Sequence, residues 1–149
     1  MAASITPYTF YTKYALDGTG IDLDTDDIYL ALYTSTPASN AVTARDTAEF
    51  IDDITNEWSD ASYTAGGYKL TTSLTLDAAN HRTKFDATDF SQAALTATNI
   101  RYAVIYKNTG TASTSPVICY IDFGTALTFT NGTLSIVFPT NGIFLNTAS

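Results

Sequence analysis

Basic residues are scarce in this 149-residue chain: seven Lys and Arg stand against fifteen Asp and Glu, a formal net charge of −8. Binding a polyanion by counterion release needs clustered Lys and Arg, so neither nucleic acid nor an anionic membrane is expected as a partner. Cysteine is rarer still. Cys119, the single cysteine, can form no internal disulfide and no cysteine zinc site by itself, and among apolar neighbours it is expected as a small buried residue. The one histidine, His81, has no second His to share a metal and sits beside a turn, where exposure is expected. No apolar run approaches the roughly 18 residues that span a membrane. No charged segment followed by an apolar one opens the chain either, so a soluble, non-exported protein is expected. Charged residues make up 15% of the chain against roughly 25% in ordinary soluble proteins. Thr, Ala, Tyr and Asn take their place, giving a surface suited to extended protein contacts.

What is present organises around residues 100–124. Two short runs, Tyr102-Ala103-Val104-Ile105-Tyr106 and Val117-Ile118-Cys119-Tyr120-Ile121, flank a Ser/Thr/Gly-rich segment. β-branched and aromatic residues bounded by turn formers predict a long hairpin. Neither run alternates apolar with polar, so both faces of each strand are expected to be covered, in the middle of a sheet or at a subunit interface. The length predicts one domain, taken as residues 7–149 behind an N-terminal arm at 1–6.

Along the chain, Thr6 as N-cap, Pro7 at the first helical position and Gly18 as C-cap predict a short helix over residues 7–16. Its aromatics Tyr8, Phe10, Tyr11 and Tyr14 must pack on something, either the domain's own sheet or a neighbouring subunit. The alternating carboxylates of residues 22–27 fail as an EF-hand, because the sixth and twelfth positions hold Asp27 and Tyr33. Asx-type turns leading into a strand at Ile28-Tyr29-Leu30-Ala31-Leu32-Tyr33 are the expected reading, ending at Thr34-Ser35-Thr36-Pro37. Phe50, Ile51, Ile54 and Trp58 stand three and four apart, predicting an amphipathic helix over residues 45–58. Its clustered acids, Asp46, Glu49, Asp52, Asp53, Glu57 and Asp60, invite a glycosidase reading, but a solvated polar face accounts for them.

From Lys69 the pattern turns to alternation. Leu70, Thr72, Leu74 and Leu76 share one face of a strand, Asp77-Ala78-Ala79-Asn80 turns the chain, and residues 81–87 return beside it. Residues 86–98 read as a loop. Asn131-Gly132 is the favoured two-residue hairpin turn, and pairing Thr130 with Thr133 sets Phe129 opposite Leu134 and Leu127 opposite Ile136. A last apolar segment, Ile143-Phe144-Leu145, closes the chain. These elements predict a mainly β protein, an antiparallel β-sandwich or jelly-roll-like fold with one or two short helices. No nucleophile, base and orienting group assemble from the motifs, so no catalytic activity and no cofactor are expected.

Several of these pieces, taken in order, carry a resemblance. Residues 21–26 running into 28–35, then Asp52-Asp53-Ile54-Thr55-Asn56-Glu57, Tyr63-Thr64-Ala65-Gly66-Gly67, Ala103-Val104-Ile105-Tyr106-Lys107 and Tyr120-Ile121-Asp122-Phe123-Gly124 resemble a family of small virion structural proteins of tailed bacteriophages. The resemblance implies a non-enzymatic component of the particle. A chain this short is too small for the shell itself, and a charge of −8 disfavours the DNA-facing interior. The expectation is an exterior capsid cement or decoration protein bound to the major capsid protein, self-associating as a homo-oligomer such as a trimer. A tail, baseplate or fibre-anchoring role is the alternative. Tyr8, Phe10, Tyr11, Tyr14 and Trp58 are the candidate subunit-interface residues, and a glycan-binding surface using Trp58 is a third reading.

Overall fold

Short-range alternation and long-range pairing together make this chain a stack of two antiparallel sheets. The computed structural model describes residues 4–35 and 44–148. The strands are β1 (Ser4–Pro7), β2 (Ile28–Thr34), β3 (Tyr68–Lys69), β4 (Thr72–Asp77), β5 (Arg82–Ala87), β6 (Phe90–Lys107), β7 (Val117–Ile136) and β8 (Phe144–Thr147). One α-helix, α1 (Thr9–Asp17), follows β1. The large sheet runs β1-β7-β6-β2-β3 and the small one β4-β5-β8. This is a β-sandwich-like fold.

The predicted hairpin of β6 and β7 lies in the middle of the large sheet, between β1 and β2. Its lack of alternation has the expected cause, since successive residues of the central strands enter opposite layers. Leu30, Leu32, Ala103, Ile105 and Ile121 meet Phe85 and Ala87 of the small sheet in an aliphatic core. Ala31, Tyr33, Tyr102, Tyr106 and Tyr120 point the other way, under a cover supplied by Tyr8, Ala48, Ile51 and Ile54. The central tyrosines therefore pack within one chain. Cys119 is fully buried, and burial pushes its thiol far above the ordinary range.

Four expectations are corrected. Pro7 does not start the helix: Ser4, Ile5 and Thr6, expected as part of an arm, form β1 with Pro7 and pair with Asp122 to Cys119 of β7. Tyr8 becomes the N-cap without a side-chain bond, while Gly18 caps the other end in the left-handed conformation as predicted. The helix over 45–58 is absent. That segment carries only two 3-10 turns, Ala44–Asp46 and Ile51–Asp53, because its backbone is engaged elsewhere. Ile51 N–H donates to the Ser115 carbonyl, Val117 N–H to that of Glu49, and Trp58 N–H to that of Leu32. Ile51 and Ile54 are still buried, so the apolar stripe was real and its period misled.

Residues 90–98 are strand, the first half of the 18-residue β6. Asn131-Gly132 is no turn, for β7 continues through it for 20 residues, with Leu95 opposite Gly132 and Ala97 opposite Phe129. Asn131 sits at φ 48, Ala94 at φ 57 and Asn99 at φ 63, each where the β6–β7 register shifts. One extra residue in a strand flips every later side chain to the other face. A bulge at Asn131 thus brings Leu127 and Phe129 to the same core as Leu134 and Ile136, which is the pattern a hairpin would also give. The Thr36-Pro37 strand ending lies outside the described residues.

Candidate docking surface

The small sheet reaches past the core it covers. Cross-strand register sets Leu74 opposite Phe85 and Phe85 opposite Phe144, then Leu76 opposite Thr83 and Thr83 opposite Asn146. Partners in register share a face, and so do residues two apart, so all six side chains belong to the inner face. On the middle strand that face is sealed, with 2% of Phe85 exposed. One step outward it is open: Leu74 is 38% and Leu76 77% exposed.

Opposite this open end stand α1 and the loop that follows it, leaving a groove of about 460 Å³ floored by Tyr11, Leu23, Leu74, Phe85 and Phe144. Tyr11 stacks on Phe144 with centroids 4.9 Å apart. Through Thr83 and Asn146 the groove continues into a smaller hollow at Leu76 and His81. Leu16, at the end of α1, is 90% exposed. β4 is an edge strand with no partner on its outer side among the described residues.

Asp22, in the loop after α1, lines the groove, and Asp17 and Asp24 stand close to it in the chain. Asp17 accepts from Thr19 N–H at 2.9 Å and its hydroxyl at 2.7 Å, and these bonds hold its carboxyl below the usual range. Asp22 accepts from Asp24 N–H at 3.0 Å, with the same effect. Asp26 accepts from Asp22 N–H at 2.6 Å. An Asx-type turn of the kind read from the sequence is therefore present at Asp22. Lys107 is paired with Asp26 at 3.0 Å and Lys69 with Asp27 at 2.6 Å, while Lys13 on α1 lies over the Tyr14 ring and acts on Asp17.

A second cavity, about 470 Å³, opens on the opposite layer beside Tyr33, Tyr106, Asp52 and Glu57. One of its two carboxylates, Glu57, is tied into the fold. Glu57 Oε1 accepts from Tyr63 O–H and Gly66 N–H, both at 2.6 Å, while Tyr106 O–H donates to the Gly66 carbonyl at 2.6 Å. Three more of the clustered acids are acceptors: Asp46 for the Thr9 hydroxyl, Asp53 for the N–H groups of Glu49 and Phe50, Asp60 for Ser62 N–H. Short polar side chains that bond nearby backbone in this way favour turns over helix. No group of three metal-ligating side chains occurs among the described residues. His81 is exposed at the left-handed end of a 3-10 turn.

The five residues singled out from the sequence are scattered by the fold. Tyr8 is fully buried edge-on to Tyr120, its hydroxyl without a partner. Phe10 is half-buried on α1. Tyr14 donates its hydroxyl to Glu49, and Trp58 packs against the aliphatic core with its indole N–H unpaired. Only Tyr11 lines the groove. The leucines of β4 were placed on one face by their alternation, but that this face runs out of cover is a tertiary fact. No protein-family model, curated protein or solved structure matches this chain.

Proposed function

We propose that this chain is a structural component of a tailed-phage particle, an exterior capsid cement or decoration protein that bridges capsomers of the major capsid protein. The observation that carries the reading is the open apolar end of the small sheet on an acidic domain poor in charge. A protein that works by being bound needs such a face, and Leu74 and Leu76 supply it. The resemblance adds support. Its segments fall on the loop 21–26 beside the groove, on β2, on the turn Ile51–Asp53, on the loop held by Glu57, and on β6 and β7. The charge of −8 favours an outer position, away from packaged DNA.

The test is the stoichiometry of this chain in purified particles, compared between intact virions and isolated heads. Retention on heads of copies on the order of hundreds, as sites repeated over an icosahedral shell require, is expected. A few copies lost with the tail would move the protein to the tail or baseplate, and absence from particles would remove the virion reading altogether.

A further inference from the structure

We infer that the open end of the small sheet takes up an extended segment of a partner protein, which adds as a strand to β4, turns alternate apolar side chains toward the groove and carries Lys or Arg at its flanks. The inference rests on reading this face as an assembly surface, and it specifies the chemistry of what binds there. Three independent features meet at β4.

The first is the backbone. Edge strands in native proteins are commonly blunted by Pro, Lys, bulges or a covering loop, because their unpaired N–H and C=O groups template a further strand. β4 reads Thr72-Ser73-Leu74-Thr75-Leu76-Asp77, with no Pro and no Lys, and its pairing to β5 runs without a register break. A segment added there gains main-chain hydrogen bonds whatever its sequence.

The second is side-chain direction. Residues of an added strand that lie beside Leu74 and Leu76 face the same way as those leucines. They would enter the space between the sheet and α1, where about 460 Å³ is open above Tyr11, Leu23 and Phe144. That volume takes apolar side chains at alternate positions of a short segment and excludes nothing on the polar outer face.

The third is charge, which chooses the occupant. Asp22 lines the groove with Asp17 and Asp24 exposed on either side of it in the chain, Lys13 is the one base on α1, and Lys107 and Lys69 are bound to Asp26 and Asp27, so the rim stays net acidic. A second copy of this chain would bring another −8 and the same carboxylates against this rim. Like charges brought together at an interface are unfavourable, and opposite charges steer association and fix register. A segment flanked by Lys or Arg meets the rim with the complementary sign.

The experiment uses the full chain and two synthetic probes, Lys-Lys-Val-Thr-Val-Thr-Val-Lys-Lys and its twin with Glu in place of every Lys. Fluorescence anisotropy reads affinity and amide hydrogen exchange reads location. The Lys-flanked probe is expected to bind, to protect amides of residues 72–77, and to weaken with added salt as surface charge is screened. The Glu twin is expected to bind at least about tenfold more weakly. Leu76→Lys is expected to cost a similar factor without loss of fold, because the side chain is exposed, while Leu145→Lys, on the outer face of β8, leaves binding unchanged. Binding of neither probe at about 1 mM, equal binding of both, or protection that maps away from β4 would overturn the inference. So would a dimer, seen by sedimentation, that Leu76→Lys dissociates, for the face would then belong to a second copy. A failed probe beside many copies on heads sinks this inference alone; a bound probe with no chain in particles sinks the virion reading alone.

Discussion

Gly67→Ala tests how the loop before β3 is locked to the centre of the large sheet. A methyl group there would stand 2.0 Å from the Leu30 carbonyl oxygen and 2.8 Å from Ala31 Cα. Both are backbone atoms of β2, which is held by β6 on one side and β3 on the other, so the loop must move instead. Its departure breaks the bonds that pin it: Gly67 N–H to the Thr64 carbonyl at 2.9 Å, Tyr106 O–H to Gly66 at 2.6 Å, and Gly66 N–H to Glu57 at 2.6 Å. Each is worth about 1 kcal/mol net. The left-handed backbone at φ +77 adds about 1–2 kcal/mol for any residue with a Cβ. The expected loss is about 4 kcal/mol, a large share of the roughly 5–15 kcal/mol that holds a domain together. Gly66→Ala is the control. Its φ is +90, but its nearest atom would be the Tyr106 hydroxyl at 3.5 Å, so only the backbone cost of about 1–2 kcal/mol applies. In urea unfolding followed by circular dichroism, the Gly67→Ala midpoint should fall by roughly 2 M, given ordinary denaturant slopes. A loss within about 1 kcal/mol of the Gly66→Ala loss would refute the reasoning, because the contact with β2 would then carry no weight.

Two further outcomes follow from ionisable groups. Burial pushes Tyr11 and Tyr106 up to about 12, and the bond to Glu49 does the same for Tyr14, with Tyr8, Tyr33 and Tyr63 driven higher still by burial. The unfolded chain ionises tyrosine near 10, so this contribution to stability is complete below about pH 10 and is lost as pH rises toward 12. An ultraviolet titration should show a set of tyrosines ionising only as tertiary circular dichroism collapses; all ten titrating reversibly near 10 in an intact fold would contradict it. Between β6 and β7, Arg101 Nε and Nη2 donate to Asp122 at 2.6 and 3.1 Å, and Gly124 N–H donates to the same carboxylate at 2.8 Å. Asp122→Asn should cost about 1–2 kcal/mol at neutral pH. The Arg101 bond holds this carboxyl below its ordinary value, so the gap between wild type and variant persists above about pH 4 and closes as pH falls through the lowered value. A gap that stays constant down to about pH 2 would count against the ion pair.

Much of the β structure was legible because local chemistry and tertiary demand agreed. β2 and β5 stand where composition placed them, β4 takes Thr72, Leu74 and Leu76 as alternation predicts but starts after Leu70, and the Gly18 cap follows from the need for a left-handed residue at a helix end. Two misreadings share a cause. Phe50, Ile51, Ile54 and Trp58 are spaced for a helix, and Leu127, Phe129, Leu134 and Ile136 for a hairpin. In each case a different backbone path delivers the same side chains to the core. A periodicity records which side chains are buried, and 3-10 turns or a bulge bury the same set when distant backbone supplies the hydrogen bonds.

The candidate surface divides in the same way. Sequence alone determined that the charge is acidic, that the middle of β6 and β7 is covered on both faces, and that Leu74 and Leu76 share a face, because composition, run length and alternation are local properties. Only the tertiary structure decided that Tyr8 is spent in the core, that Tyr11 floors a groove, and that the face of Leu76 is left uncovered at an open strand edge. The reason is physical: exposure depends on which distant element packs against a side chain, and here the small sheet extends beyond the layer that covers it.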